Sequence, residues 1–531
     1  MPGQLYNAFK GFDGPFDAIV IGSGIGGLSV ASILSKQGKK VLVLERHYEI
    51  GGFTHTFNRK GYTWDVGLHY VGQAHIEGTS LNKTFSYISD GNIKWAPLDN
   101  AYDRAVFGDE RFDFVKGKEN LRAAFKKYFP DEKDHASIDA YFELLKEVEN
   151  IGIGYFAEKA LPPFLSRLIG PLMRRKFLSY SDKTTLEVLS SITSNEKLIG
   201  VLTAQYGDYG LIPSESSFYM HALVANHYMD GAGYPIGGAG VLADTIVPVI
   251  EKNGGAVLFS ADVKQIIVER NKAIGVEMAD GKKIFAKNII SDAGIVTTFS
   301  RLLPEAVKEQ HQLEEKLNQL EPSMAHMGMY IGLKESAASL KLPACNYWVF
   351  PPNQYNHDKG RIEYKKISDT IPVAYISFPA AKDPAWREKH PDLSTVEIII
   401  LLPYEWFNQW EGTTSKTRGD AYQEMKKQIG EQMLEILYRV EPQLKGKIDY
   451  YEVSSPLSTK KYMNHAHGEI YGAAHTPKRF RQEFMKPYTP VKNLFLTGQD
   501  VMVASIAGSM MGGALCASAI LRKHVLGEIM K

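Results

Sequence analysis

The chain has 531 residues, a formal net charge of +1 and the composition of an ordinary globular protein. That length supports two or three domains around a large core, and the balanced charge argues against nucleic acid as a partner. Its two cysteines, Cys345 and Cys516, lie far apart and form neither a disulfide framework nor a metal-binding pattern. A reducing, cytoplasmic compartment is the expectation, and the N-terminal MPGQLYNAFKGFDG has no basic region or apolar core of a signal peptide.

The informative stretch comes early. Ala18-Ile19-Val20-Ile21 is an apolar run of the kind buried on both faces of a parallel sheet. Gly22-Ser23-Gly24-Ile25-Gly26-Gly27 follows, with Gly22, Gly24 and Gly27 at the three positions of G-x-G-x-x-G. The first glycine permits the tight turn, the second lets backbone approach a pyrophosphate, and the third lets the next helix lie close. The helix ends at Gly38, and its N-terminal amides form an anion site. A second buried run, Val41 to Leu44, ends in Glu45, where a carboxylate can accept hydrogen bonds from a ribose, with Arg46 beside it. Strand, glycines, helix, strand and acid in this order are the context a dinucleotide-binding unit requires. Gly51 and Gly52 then add free backbone amides for phosphate.

Beyond Gly61-Tyr62-Thr63-Trp64-Asp65-Val66-Gly67-Leu68-His69-Tyr70, residues 76 to 115 read as a mixed β region and Glu119 to Leu202 as mostly helical, with a stripe of Tyr141, Leu144, Leu145 and Val148. Within it, residues 161–178 carry no acid, several bases and many large apolar groups, and read as a proline-broken amphipathic hairpin. Such a segment suits a membrane surface, or else an internal lid whose arginines reach water. The glycine-dense loop Gly231 to Gly240 fails the dinucleotide spacing and reads as a close-approach loop before a helix to Glu251. Short strands follow from Ala256 to Ile290, with Asp280-Gly281 as a hairpin signal. Residues 324 to 460 mix strands with a long helix near Arg418 to Val440, a plausible roof for an apolar ligand. The chain closes with a buried strand, Gly498-Gln499-Asp500 and a small-residue helix. Although Gly508-Ser509-Met510-Met511-Gly512 in that helix matches G-x-x-x-G, its Gly, Ala and Ser content fits close packing on a cofactor better than a membrane span. His465-Ala466-His467 lacks companion ligands and reads as a polar loop, so no metal site is expected.

VIGSGIGGLSVASILSKQGKKVLVLERH, GGFTHTFNRKGYTWDVGLHYVG, YPIGGAGVLADTIVPVIEKNGG and LFLTGQDVMVASIAGSMMGGALCASAIL together resemble the FAD-dependent family of retinol saturases, carotenoid isomerases and phytoene-desaturase-like enzymes, within the amine-oxidase-type flavoproteins. GLHYVG and LTGQD are most similar to the retinol saturase and carotenoid isomerase branch. The resemblance implies an α/β fold: a Rossmann-type FAD-binding domain of the GR2-like kind, split into 1–75, 235–300 and 488–531, interleaved with an α+β substrate domain at 76–234 and 301–487. It also implies FAD, with Gly22, Gly24, Gly27, Gly51 and Gly52 at the pyrophosphate and Glu45 at the ribose. Val263 is implied at the adenine, Asp500 at the ribityl-pyrophosphate region and Gly508 at the flavin's far end. His69, Tyr70 and Tyr471 would approach the isoalloxazine.

A flavin can transfer hydride to a carbon–carbon bond that the protein aligns in a dry, apolar tunnel. His69 and Tyr471 are candidates for the accompanying acid, or else hydrogen-bond the flavin edge or backbone. With no second dinucleotide motif, reducing equivalents would come from NAD(P)H docking at the flavin, a redox partner or a quinone. The expected activity is saturation or isomerisation of a retinoid or carotenoid double bond. The alternatives are a phytoene-type desaturase, an amine oxidase and, from another class, a prenyl-binding escort protein without redox function. The sequence sets no oligomeric state.

Overall fold

The alternation of apolar residues in Phe16–Ile21 sets the first layer: Ala18 and Val20 face one core, Ile19 and Ile21 another, and all four are buried. In the computed structural model, which describes residues 2–12, 14–414 and 417–531, this strand pairs in parallel with Val41–Leu44 and Lys283–Ser291. Ala256–Phe259 and Gln4–Leu5 extend the sheet on one side and Leu494–Leu496 on the other. An antiparallel meander, Val263–Glu269, Lys272–Met278 and Lys283–Ser291, completes eight strands. Helices Ile25–Lys36, Val241–Lys252 and Ile506–Leu521 share the core on the Val20 face. Thus strands from the two ends and the middle of the chain form one sheet.

A seven-stranded sheet forms the second layer, in the order Ile448–Val453, Ala325–Leu333, Ser394–Leu402, Ala374–Ser377, Asn346–Phe350, Ala101–Phe107 and Glu110–Val115. Its period-two pattern divides the chemistry between faces. Ile398 and Ile400 join a core under Gly419–Val440, whereas Ile399 and Leu401 face the opposite side and border the main cavity. Helices between Lys118 and Leu202, with Phe218–Tyr228, share that second core.

Two expectations need correction. Residues 76–115 include a helix, Ser80–Ile88, started by the Thr79 side chain accepting from the Asn82 amide at 3.3 Å. Thr84, Phe85 and Ile88 line its buried face, a 3.6-residue period embedded among β-branched and polar residues. Residues 161–178 do not fold back as a hairpin. From Pro163 onward they belong to one helix, Pro163–Ser181, that runs through Pro171. Pro163 occupies the first turn, where a missing N–H costs nothing, and Pro171 is exposed, so water can serve the carbonyl it leaves unpaired. Gly170 is needed on the inner side, where an added Cβ would lie 2.9 Å from Glu158 Oε1.

The N- and C-terminal helices meet through backbone. A Cβ on Gly26 would lie 2.6 Å from Gly498 Cα, and one on Gly512 would lie 2.3 Å from the Gly498 carbonyl oxygen. Among the described residues, no helix is long and apolar enough to cross a membrane. Replacing Gly512 with Val must push these segments apart. Urea unfolding is expected to show a loss of about 1–3 kcal/mol or more, the usual range for overpacking.

Candidate cofactor and substrate site

The glycine turn is built so that nothing but backbone fits. Gly22 has φ of +99°, and its amide donates to the Leu44 carbonyl at 2.9 Å. A Cβ on Gly24 would lie 2.6 Å from Asp292 Oδ2, and one on Gly27 would lie 2.4 Å from the Gly22 carbonyl oxygen. Gly52 closes over Gly24, with an added Cβ only 3.0 Å from its Cα. Glu45 is held in place by the Ser23 amide at 2.9 Å and the Ser23 hydroxyl at 2.6 Å on Oε2, and by the His47 amide at 2.7 Å on Oε1. A carboxylate has about four acceptor positions, so one remains for a ribose hydroxyl. Arg46 turns away, donating to the carbonyls of Lys461 at 2.7 Å and Tyr462 at 3.3 Å.

From the other chain end, Asp500 Oδ2 accepts from the Ile295 amide at 2.7 Å. Its Oδ1 is buried without a hydrogen-bond partner among the described residues, 4.0 Å from an Arg479 nitrogen. An unsatisfied buried acceptor beside a glycine turn fits a polyhydroxylated chain that donates to it. Ser505, at φ of 97°, caps the last long helix by accepting from the Gly508 amide at 3.0 Å. Gly508 also packs against Val503, where a Cβ would meet the carbonyl oxygen at 2.3 Å. Val263 opens its strand at the cavity edge.

One residue essential to this arrangement was not legible: Asp292, at the end of Lys283–Ser291. Its carboxyl is held by the amides of Gly24 and Gly27, and burial pushes it up to about 8. It is therefore uncharged near neutrality, so it does not repel an anionic diphosphate at the helix N-terminus. The residues present thus fit FAD: a side-chain-free glycine turn and a helix dipole for phosphate, Glu45 for ribose and Asp500 for the ribityl chain.

At the opposite end, the hairpin Thr56–Arg59 and Tyr62–Asp65 aims the chain at His69. The Asp65 amide donates to Glu397 Oε1 at 2.8 Å, and Asp65 accepts from Tyr234 and, at 2.8 Å, from the Ala239 amide. His69 Nδ1 lies 2.9 Å from Glu397 Oε2, yet both lack a well-aligned hydrogen bond. Burial lowers His69 to about 3, with Lys382 adding to the effect, so the imidazole is neutral. Burial raises Glu397 to about 8 and Asp65 to about 7. Lys382 donates to the His69 carbonyl at 2.9 Å, Asn346 Oδ1 at 2.5 Å and Ser377 Oγ at 2.7 Å. Neither Glu397 nor Lys382 stood out in sequence. Tyr471, whose amide donates to Ser323 Oγ at 2.9 Å, packs under Gly210 and keeps its phenolic proton because burial raises it well above the usual range.

A single cavity of about 1290 Å³ is bordered by Gly22, Gly24, Glu45, Arg46, Gly51, Gly52, Val263, Asp500 and Gly508 at one end and by His69 and Tyr471. Gly27 lies beneath the turn, where it serves packing. The volume exceeds the roughly 300–1,000 Å³ of an ordinary small-molecule pocket, leaving room for a dinucleotide and a second ligand. No group of metal-ligating residues is present among the described residues.

Two outcomes follow for FAD titration monitored by flavin fluorescence. Glu45→Ala is expected to weaken binding about tenfold to hundredfold, the loss of charge-assisted hydrogen bonds. Affinity of the native protein should fall as pH rises through about 8, because Asp292 then becomes anionic beside the diphosphate. Asp292→Asn, neutral at every pH, should flatten that decline.

The comparisons agree with this geometry. The model of the family described as flavin containing amine oxidoreductase matches residues 25–521. All-trans-retinol 13,14-reductase of Danio rerio is 36% identical over 96% of this chain and 86% of its own length. A more distant relative, the chloroplastic prolycopene isomerase of Arabidopsis thaliana, is 24% identical over 96% of this chain and 84% of its own. A solved oxidoreductase from Methanosarcina mazei shares the fold, with a TM-score of 0.63 at 19% identity, covering 95% of this chain and 100% of its own. The chain belongs to the flavin containing amine oxidoreductase family and is an FAD-dependent oxidoreductase.

Proposed function

We propose that this enzyme saturates a carbon–carbon double bond of a hydrophobic polyene of the retinoid or carotenoid class. The observation that carries the reading is the shared cavity: the cofactor end is lined by amides and carboxylates, whereas Phe156, Leu223, Val224, Ile399, Leu401 and Met502 border the remainder. A long apolar ligand fits such a wall, and a charged amine does not. The retinol 13,14-reductase of Danio rerio supports saturation over the isomerisation named for the plant relative.

A bound flavin supplies hydride transfer. The chain's own residues do the rest. The seven-stranded sheet and the helical block wall its apolar part, Asp500 and Glu45 hold the cofactor, and Tyr471 retains a phenolic hydrogen at the cavity wall. Saturation consumes a proton as well as a hydride, and the neutral imidazole of His69 is poorly suited to supply one as an imidazolium.

Peripheral contact with a bilayer is also part of this proposal. Phe164, Leu168 and Leu172 on the helix Pro163–Ser181 are 71%, 76% and 76% exposed, and neighbouring Ile153 is 66% exposed. Exposed Arg167, Arg175 and Lys176 lie among them, suited to anionic headgroups. Ile153, Phe156, Leu161 and Pro162 border the cavity, so an apolar substrate could pass from lipid to site without crossing water.

Purified holoenzyme incubated anaerobically with a reductant and all-trans-retinol should yield a product heavier by one hydrogen molecule, read by mass spectrometry. Loss of hydrogen from a phytoene-type substrate under oxidising conditions would instead favour the desaturase. Leu168→Asp combined with Leu172→Asp should cut sedimentation with anionic vesicles about tenfold and leave the flavin spectrum unaltered. Unchanged vesicle binding would remove the membrane contact.

A further inference from the structure

Saturation needs a proton as well as a hydride, and the surroundings of His69 hold one that no residue has yet been assigned to deliver. Ser394–Leu402 is a buried strand in which Glu397 is the only charged residue. With a period of two, Glu397 shares the face of Ile399 and Leu401, which border the cavity. The cavity wall includes His69 but stops short of Glu397. His69 Nδ1 lies 2.9 Å from Glu397 Oε2, so the imidazole is the contact through which a proton on Glu397 can reach a ligand.

Two buried acids and one buried base meet behind His69. Asp65 accepts from the Tyr234 hydroxyl and, at 2.8 Å, from the Ala239 amide, so a charge on it is well supplied. The hydrogens of Lys382 go to the His69 carbonyl, Asn346 Oδ1 and Ser377 Oγ, none of them a carboxylate. Glu397 is left with one backbone amide, that of Asp65 at 2.8 Å on Oε1. Burial raises it to about 8, opposed by that amide and by the charge of Lys382. A buried carboxyl supplied this poorly keeps its proton at neutrality. The phenols of Tyr234, Tyr330 and Tyr375 nearby keep theirs as well, because burial raises all three.

We propose that Glu397 stores the proton for saturation of the double bond and passes it through His69, whose imidazole exchanges tautomers without becoming an imidazolium. The inference rests on the saturation reading above and assigns its proton. The O–H bond of Glu397 breaks as Nδ1–H forms, and the Nε2–H bond breaks as a C–H bond forms on one carbon of the double bond. Hydride takes the other carbon and brings the electron pair. The charge left behind is a carboxylate at Glu397, received by the Asp65 amide and the field of Lys382. His69 Nε2 is buried without a hydrogen-bond partner among the described residues, as a nitrogen kept free for a ligand would be. The Nδ1 contact is close but out of line, so the carboxyl must turn toward the ring in the reacting complex.

The test is a single turnover of reduced, FAD-loaded protein with all-trans-retinol under anaerobic conditions, so that cofactor reduction does not set the rate. The native rate should fall about tenfold per pH unit above about 8, as Glu397 loses its proton. Glu397→Gln keeps the shape but stores no acidic proton, and should be at least about a hundredfold slower and flat across that range. Glu397→Asp should recover part of the rate together with a pH dependence. In mixtures of light and heavy water the native rate should curve with deuterium fraction, because two protons move together, whereas a lone donor gives a straight line. Retinol binding, read by quenching of protein fluorescence, and flavin content should be unaltered in both variants, which separates loss of a proton from loss of fold. A Glu397→Gln protein that keeps the native pH dependence, or a straight line for the native protein, would overturn the relay and leave the polyene reading intact. A native protein that never reduces retinol would overturn both.

Discussion

The site depends on contact between glycines at opposite ends of the chain. The first helix meets the turn before the last long helix through backbone at Gly26 and Gly498, and within the last helix Gly512 packs on Gly498 while Gly513 packs on the Gly26 carbonyl. Any side chain at these points would wedge the helices apart and break the phosphate cradle. The contact brings Asp500 to the same cavity as Glu45, although they are separated by most of the sequence. Asp292 closes the arrangement from the middle of the chain, with its carboxyl seated under the first turn. Three distant segments therefore border one cavity, and each is positioned by the parallel sheet beneath it.

The protein around the cavity also shows how burial sorts charge. Glu397, Asp65 and Asp292 are raised by desolvation, and Lys382 and His69 are lowered. Each shift favours the neutral form of its group, as expected where ionisation would lack water. A chemistry that moves hydride into an apolar molecule benefits from walls of this kind, because few fixed charges compete for solvent or polarise the substrate.

The cofactor half of the site was largely legible because its determinants are local. A doubly buried strand, a glycine spacing and an acid after the next strand are read within one βαβ unit, and Gly22, Gly24, Glu45 and Asp500 all border the cavity. Asp292 was not legible, since its role comes from contacts with a turn more than two hundred residues earlier. Glu397 and Lys382 were hidden for the same reason: each lies in a segment whose local pattern is that of ordinary β structure or a short helix. Residues 161–178 read as a hairpin because three prolines and a glycine suggest a break, whereas exposure of Pro171 lets the helix continue. The helix Ser80–Ile88 was missed because its apolar positions are few.

The pairing of Leu494–Leu496 with Lys283–Ser291 carries a consequence for biosynthesis. A ribosome releases the opening βαβ unit early, but the surface that encloses the cofactor is incomplete until almost the whole polypeptide has emerged. The nascent Rossmann half must wait with an exposed sheet edge, at Lys283–Ser291, for a partner strand made last. The parallel sheet under the cofactor site is therefore completed only when Leu494–Leu496 joins Lys283–Ser291.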